Sequence, residues 1–318
     1  MVQGLQTVWT FAKDCLKLYT SRGNLWQVHL RTAISMLVGA YEERLQSFGM
    51  DERTSSLLWE NLPLSDCDPA VIGEAASFRF LGGTVIWLDI VASITAGTEP
   101  LLLPYHIPAI APHSETRLEA IMGCQNWVMV QIGRIAALHA SRIRASEQGT
   151  PGDAKSESSS RSIVKELQDG LSQMGWEPSD AVRRRFGIAA DTTDPCRLVT
   201  LMFAHTAFMY LHLATRGFEA LEAISPPYIM AMELLRGGIP MDLLPALVTP
   251  LYFLGSVARY TDRPFLRGLL ASPALLHPLS GHRAMIMPVL EEIWRKRDAA
   301  PGSALADSVW LGQDLLLI

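Results

Sequence analysis

One carboxylate stands out because it lies in an otherwise apolar stretch of the sequence. Asp89 is the single charged residue of the segment TVIWLDIVASI. A buried carboxylate must accept hydrogen bonds, pair with a cation or take up a proton. We therefore predict that Asp89 is buried and bonded to donors on another segment. An acid that faces a ligand or a substrate is the alternative role for the same residue.

Three further side chains are candidates for contact with a small molecule. His205 and His212 are seven residues apart, so they share one face of a helix. Paired metal ligands on a helix are normally four residues apart, as in H-E-x-x-H, and buried, hydrogen-bonded imidazoles are expected instead. Trp127 lies between two glycines of a predicted helix, a pattern that favours a close helix crossing or a pocket wall. The predicted ligand pocket comprises Asp89, Trp127, His205 and His212.

The sequence lacks the motifs that would assign an enzymatic reaction. It contains no G-x-S-x-G, H-E-x-x-H, P-loop or G-x-G-x-x-G pattern, and its four cysteines are widely separated. We therefore predict no catalytic residue, no metal site and no cofactor.

Charge argues against direct binding to nucleic acid. The chain has 27 basic and 32 acidic residues, a net charge of −5, and binding to DNA depends on neutralising phosphates. The basic triplets at residues 183–185 and 295–297 have acidic neighbours, so we read them as solvated helix faces. No DNA binding is expected from this chain itself.

The distribution of prolines and glycines predicts an all-α fold. Asp-Pro at residues 68–69 and 194–195 and Ser-Pro at residues 225–226 each combine a capping residue with proline, which is typical of a helix start. Sustained alternation of apolar and polar residues, the sign of a strand, is almost absent. The sequence predicts an irregular multi-helix bundle.

Three other segments give more specific expectations. Residues 114–147 predict one long helix, and residues 241–259 predict a helix that Pro250 should kink or break. Residues 199–215 contain no charged side chain, but they include two histidines and three threonines. We expect this segment to be a helix buried inside the protein, and we predict no membrane association.

One segment is predicted to be a flexible internal loop. Residues 146–162 read SEQGTPGDAKSESSSRS and contain no large apolar side chain that could anchor them. The apolar helices lie on both sides of this segment. We therefore predict a single domain over residues 1–318 with a loop inserted in it.

Eight segments, in order along the chain, resemble the fungal-specific transcription factor domain that follows a zinc binuclear cluster in fungal regulators. The most recognisable is GCQNWVMVQIGRIAAL at residues 123–138. FRFLGGTVIWLDIVASITAG at residues 78–97 and GNLWQVHLRTAISML at residues 23–37 are also similar to the family. The remaining segments are residues 201–213, 244–259, 263–270, 289–298 and 310–318.

The resemblance implies an all-helical regulatory domain that acts in transcription in the fungal nucleus and is linked to secondary metabolism. It also implies a small-molecule effector, protein partners in the transcription machinery and a homodimer. The sequence has no C-x-x-C-x-x-x-x-x-x-C cluster, so we expect a regulator without its own zinc-containing DNA-binding unit, and the cytoplasm is an alternative location. The alternative function is a cyclase-like or isomerase-like enzyme of a biosynthetic pathway that uses the same helical pocket, with Asp89, Trp127 and His205 as candidates.

Overall fold

The architecture is entirely helical over the residues that the structure describes, which confirms the predicted fold class. The computed structural model describes residues 25–47, 69–111, 114, 116–149, 154–175, 194–276, 283–299 and 315–318. The α-helices are α1 (Leu25–Ser47), α2 (Pro69–Ala96), α3 (Leu103–Ala109), α4 (Glu119–Met122), α5 (Asn126–Glu147), α6 (Ala154–Gln173), α7 (Pro195–Arg216), α8 (Ser225–Arg236), α9 (Val248–Ser256), α10 (Arg263–Leu270) and α11 (Ile286–Ala299). Short 3-10 segments lie at Leu221–Ile224, Met241–Leu247 and Tyr260–Asp262.

The proline-marked start of α7 is confirmed with its capping residue. The Asp194 carboxylate caps α7 by accepting the N–H of Cys196 at 3.0 Å, and α7 ends at Gly217, whose φ is +61°. Helix α8 begins at Ser225, but its N-cap is Ile224 and no side chain caps it, so Ser225 does not have the predicted capping role. Asp68, the predicted capping residue of α2, lies outside the described residues.

Helix α7 is the centre of the bundle. It packs against α5, α6, α8 and α9. This helix and residues 79–96 of α2 are long and apolar enough to cross a membrane, but 83% and 72% of them, respectively, are buried by the rest of the protein. Their apolar side chains therefore form part of the hydrophobic core. The sequence predicts this role for residues 199–215.

The prediction of one helix over residues 114–147 was wrong. Gly123 adopts a φ of +83°, which separates the short α4 from α5. The Asn126 side chain makes hydrogen bonds to the segment that leads into α4. Its Oδ1 accepts the N–H of Leu118 at 2.9 Å, and its Nδ2 donates to the carbonyl of Thr116 at 2.8 Å. A glycine and an asparagine thus replace continuous helix with a turn.

The flexible loop predicted at residues 146–162 was wrong over residues 154–162, which form the start of α6. The prediction of a loop rested on the lack of large apolar side chains in this segment. The segment is nevertheless helical, and it contacts α5 through a small side chain. Ser162 Oγ accepts a hydrogen bond from Arg134 Nη2 on α5 at 3.2 Å, and the buried Ile163 follows it. That the whole chain forms one domain stays a prediction.

The break predicted near Pro250 is confirmed, but it lies earlier in the chain. The 3-10 segment Met241–Leu247 precedes α9, which begins at Val248. Pro250 therefore occupies the first turn of α9, where its missing N–H leaves no helical hydrogen bond unmade.

A buried C-terminal segment joins two distant helices. Residues 315–318 are at most 3% exposed. The hydroxyl of Thr95 on α2 donates to the carbonyl of Leu315 at 2.7 Å, and that of Thr249 on α9 donates to the carbonyl of Leu317 at 2.6 Å. The core therefore includes residues from both ends of the described chain.

Candidate functional site

Asp89 is buried and fully engaged by neighbouring donors, as predicted. Its side chain is 3% exposed. The carboxylate accepts the backbone N–H of Leu101 at 3.0 Å and that of Leu102 at 2.8 Å, and it lies 3.2 Å from His106 Nε2. Asp89 on α2 therefore fixes the segment that leads into α3.

His106 is the partner that sequence reasoning missed. It is 1% exposed, and 17 residues and a helix end separate it from Asp89. Gly133 on α5 leaves room for the imidazole, because a Cβ atom at Gly133 would lie 3.3 Å from His106 Nδ1. The glycine on α5 was the one sequence signal for this contact.

Trp127 lies at the crossing of α5 and α6. Its Nε1 donates to Gln125 Oε1 at 2.8 Å. Its ring lies against Gly170, where a Cβ atom would approach the ring to 2.5 Å. Gly170 therefore permits the two helices to pack closely, which is one of the two roles predicted for the tryptophan.

The two histidines are buried on α7. His205 is 5% exposed, and burial lowers its pKa from 6.5 to about 4. His212 is 8% exposed, and its Nε2 donates to the carbonyl of Glu219 at 2.7 Å. His212 therefore ties the end of α7 to the turn that follows it.

The four predicted residues lie in different parts of the bundle. Asp89 belongs to the α2–α3 junction, Trp127 to the α5–α6 crossing and both histidines to α7. None of them lines the cleft described below, and their contact with a ligand stays a prediction. Within the described ranges, no group of three His, Cys, Asp or Glu side chains could hold a metal ion. Cys15 and Cys67 lie outside those ranges.

A cluster of arginines and aromatic rings joins α10 and α11. Trp294 is 1% exposed and donates its Nε1 hydrogen to the carbonyl of Gly255 at 2.7 Å. The guanidinium carbons of Arg263 and Arg267 lie 5.3 Å and 5.0 Å from the centre of the Trp294 ring. Such contacts between a cation and an aromatic face stabilise both partners.

Each of three arginines in this cluster has its own carboxylate. Arg263 binds Asp298 through two hydrogen bonds of 2.6 and 2.7 Å, and Arg267 binds Glu291 through two of 2.5 and 2.9 Å. Arg236 Nη2 donates to Asp262 Oδ1 at 2.6 Å. These three ion pairs balance three of the positive charges.

Tyr228 connects α8 to the same cluster. Its hydroxyl donates to Asp262 Oδ2 at 2.6 Å. Burial and the bond to Asp262 raise the pKa of Tyr228 well above its usual value. The phenol therefore stays protonated and holds α8 against the segment before α10.

Beside Tyr228 lies a cleft of about 140 Å³ that contains two arginines, and we call it the Arg259 cleft. Its walls are Leu221, Glu222, Ile224, Ser225, Tyr228, Val257, Arg259 and Arg297. Arg259 Nη2 donates to Ser225 Oγ at 3.3 Å, and Arg297 Nη1 donates to the carbonyls of Ser256 and Ala258 at 2.8 and 3.1 Å. Burial and the neighbouring Arg263 lower the pKa of Arg297.

Comparison with known proteins decides the family. A model of the fungal specific transcription factor domain matches residues 15–313. The chain belongs to this family. One similar protein is "Pestheic acid cluster transcriptional regulator 3" of Pestalotiopsis fici, which is 34% identical over 304 residues, 95% of this chain and 54% of the relative. No solved structure matches the chain.

Two more distant relatives are also transcription regulators by name. "Transcription factor dibT" of Pestalotiopsis microspora is 25% identical over 88% of this chain and 48% of its own length. "Trichothecene biosynthesis transcription regulator TRI10" of Trichoderma arundinaceum is 26% identical over 87% of this chain and 64% of its own length. The chain thus spans about half the length of the first two relatives. These names support the transcription regulator predicted from the sequence and give no support to the enzymatic alternative.

Proposed function

We propose that this chain is the regulatory module of a transcription regulator that controls a gene cluster for a secondary metabolite. The observation that carries the proposal is the 34% identity to a cluster regulator along 95% of the chain. The match to the family over residues 15–313 supports the same conclusion. The module would act in the nucleus.

The mechanism that we propose is indirect. A small-molecule effector binds one arrangement of the helices and shifts the population toward it, which changes the surface offered to protein partners in the transcription machinery. Tyr260 is 78% exposed and Phe265 is 36% exposed, beside the exposed Arg236 and Arg267. Aromatic and arginine side chains are enriched at protein interfaces, so this face is the proposed contact with a partner or with a second copy of the chain.

Recognition of DNA is assigned to another part of the regulator or to a partner. The net charge of this chain is −5, and three arginines of its arginine cluster are already paired with carboxylates. A chain with a net negative charge is poorly suited to neutralise phosphates, which supply most of the affinity for DNA.

Gene deletion in the source fungus tests the proposal. Loss of the gene should lower the transcripts of one biosynthetic cluster, and the wild-type gene should restore them. A Gly170→Leu gene should fail, because the new side chain collides with Trp127. The matched control Gly73→Ala should succeed, since no atom lies within 4 Å of the added Cβ.

The enzymatic alternative gives a different result in the same experiment. If deletion removes one metabolite while every transcript of its cluster stays at the wild-type level, the chain acts as an enzyme and the proposal is wrong.

A further inference from the structure

We infer that the Arg259 cleft binds a small organic anion, specifically a carboxylate attached to an apolar ring. The inference goes beyond the proposed function, since it concerns binding by the folded chain alone. Its basis is the charge, the size and the lining of the cleft.

The charge of the cleft is the first argument. Arg236, Arg263 and Arg267 each have a carboxylate partner, whereas Arg259 and Arg297 form no ion pair within the described part of the chain. Both guanidinium groups line the same small space, where Glu222 and the Asp298 carboxylate that acts on Arg297 offset part of their charge. An anion bound there would neutralise the excess positive charge.

The hydrogen-bonding capacity of the two arginines is the second argument. Arg297 uses Nη1 for its two carbonyl partners, and its Nε and Nη2 donate no hydrogen bond to the described residues. Arg259 lies 5.3 Å from the centre of the Tyr228 ring, and this contact holds its guanidinium group at the cleft. Planar guanidinium groups bind carboxylates through paired hydrogen bonds.

The size and the apolar walls define the rest of the ligand. A cavity of roughly 150 Å³ lined by aliphatic side chains binds benzene, and this cleft measures about 140 Å³. Leu221, Ile224 and Val257 supply the apolar wall. A single ring of about the size of benzene therefore matches the cleft in volume, and the two arginines at its wall match a carboxylate attached to that ring in charge.

Glu222 is the acidic member of the lining and opposes such a ligand. The side chains of Glu222 and Arg259 are both exposed, so solvent screens both charges. Removing this charge should strengthen the binding of an anion, whereas removing the charge of Arg259 should weaken it. The two substitutions therefore have opposite predicted signs, which a general effect on folding would not produce.

Titration calorimetry of the purified chain tests the inference with three probes: benzoate, benzamide and inorganic phosphate. Benzamide has the ring without the charge, and phosphate has the charge without the ring. We expect benzoate to bind at least about tenfold more tightly than either of the others. Arg259→Gln should weaken benzoate binding by about tenfold or more, and Glu222→Gln should strengthen it by about threefold.

Arg144→Gln is the matched control, since it removes an exposed arginine of α5 that does not line the cleft. It should leave the affinity for benzoate unchanged, and thermal melts should show that all three variants are folded. No benzoate binding up to about 10 mM would overturn the inference. Equal affinity for phosphate and benzoate, or equal affinity in wild type and Arg259→Gln, would also overturn it. These outcomes leave the gene-deletion test of the proposed function untouched, so the two can fail separately.

Discussion

Replacement of Asp89 by alanine should destabilise the chain strongly, because it removes the acceptor that holds the α2–α3 junction. The carboxylate accepts two backbone N–H groups at 3.0 and 2.8 Å and contacts His106 at 3.2 Å, all within a site that is 3% exposed. A hydrogen bond to a charged group contributes about 1.5–3 kcal/mol. Breaking a buried charged contact by removing one partner costs about 3–5 kcal/mol. We therefore expect Asp89→Ala to lower the free energy of unfolding by about 3–5 kcal/mol.

Asparagine at the same position keeps the size of the side chain but changes its hydrogen bonding, so it separates the effects of the two on stability. Asp89→Asn keeps one acceptor oxygen but turns an amide group toward the second N–H, so about half of the loss should remain, about 1.5–2.5 kcal/mol. Urea unfolding measured by circular dichroism gives both values. Asp169 lies exposed on α6, and Asp169→Ala should change the stability by less than about 0.5 kcal/mol.

The reasoning about Asp89 is refuted by a specific result. If Asp89→Ala unfolds within about 1 kcal/mol of the wild type, the hydrogen bonds from Leu101 and Leu102 do not stabilise the junction.

Two other changes test separate parts of the account. Gly170→Ala should lower the free energy of unfolding by about 1–3 kcal/mol, because the new Cβ lies 2.5 Å from the Trp127 ring. Gly73→Ala has open space around it and should leave the free energy of unfolding unchanged or raise it by up to about 1 kcal/mol. Equal urea midpoints for the two variants would contradict both expectations. Burial lowers the pKa of His205 from 6.5 to about 4, so between these values the unfolded chain binds a proton that the folded chain excludes, and stability falls as the pH falls. From about pH 7 to about pH 5 the wild type should lose about 2 kcal/mol more than His205→Leu in urea unfolding, and parallel losses would show that His205 titrates normally.

The helical class and several helix starts were predictable because local signals determine them. A capping residue followed by proline fixes the start of α7, as the bond from the Asp194 carboxylate to Cys196 N–H shows. Helix α6 was missed at its start for the converse reason. The start of this helix contains serines instead of large apolar residues. Whether such serines contact another helix depends on α5, which lies earlier in the chain and cannot be inferred from the local sequence.

The candidate sites were predictable only where one residue was unusual by itself. A carboxylate within TVIWLDIVASI must find donors wherever it lies, so the burial of Asp89 followed from its neighbours. The identity of the donors did not, because a helix end separates them from Asp89. The Arg259 cleft is not predictable from the sequence: Tyr228, Arg259 and Arg297 come from three separate segments, and the acidic neighbours of Arg297 favour a solvated basic face.

The central claim is that this helical chain regulates transcription, and a tethered reporter assay tests it most directly. Residues 1–318 are fused to a DNA-binding domain from an unrelated protein, and transcription from a promoter with its sites is measured in a fungal host. The account predicts that the fusion changes transcription relative to the DNA-binding domain alone, that Gly73→Ala behaves like the wild type, and that Asp89→Ala loses the effect. A fusion that is folded and bound at the promoter but leaves transcription unchanged would contradict the account.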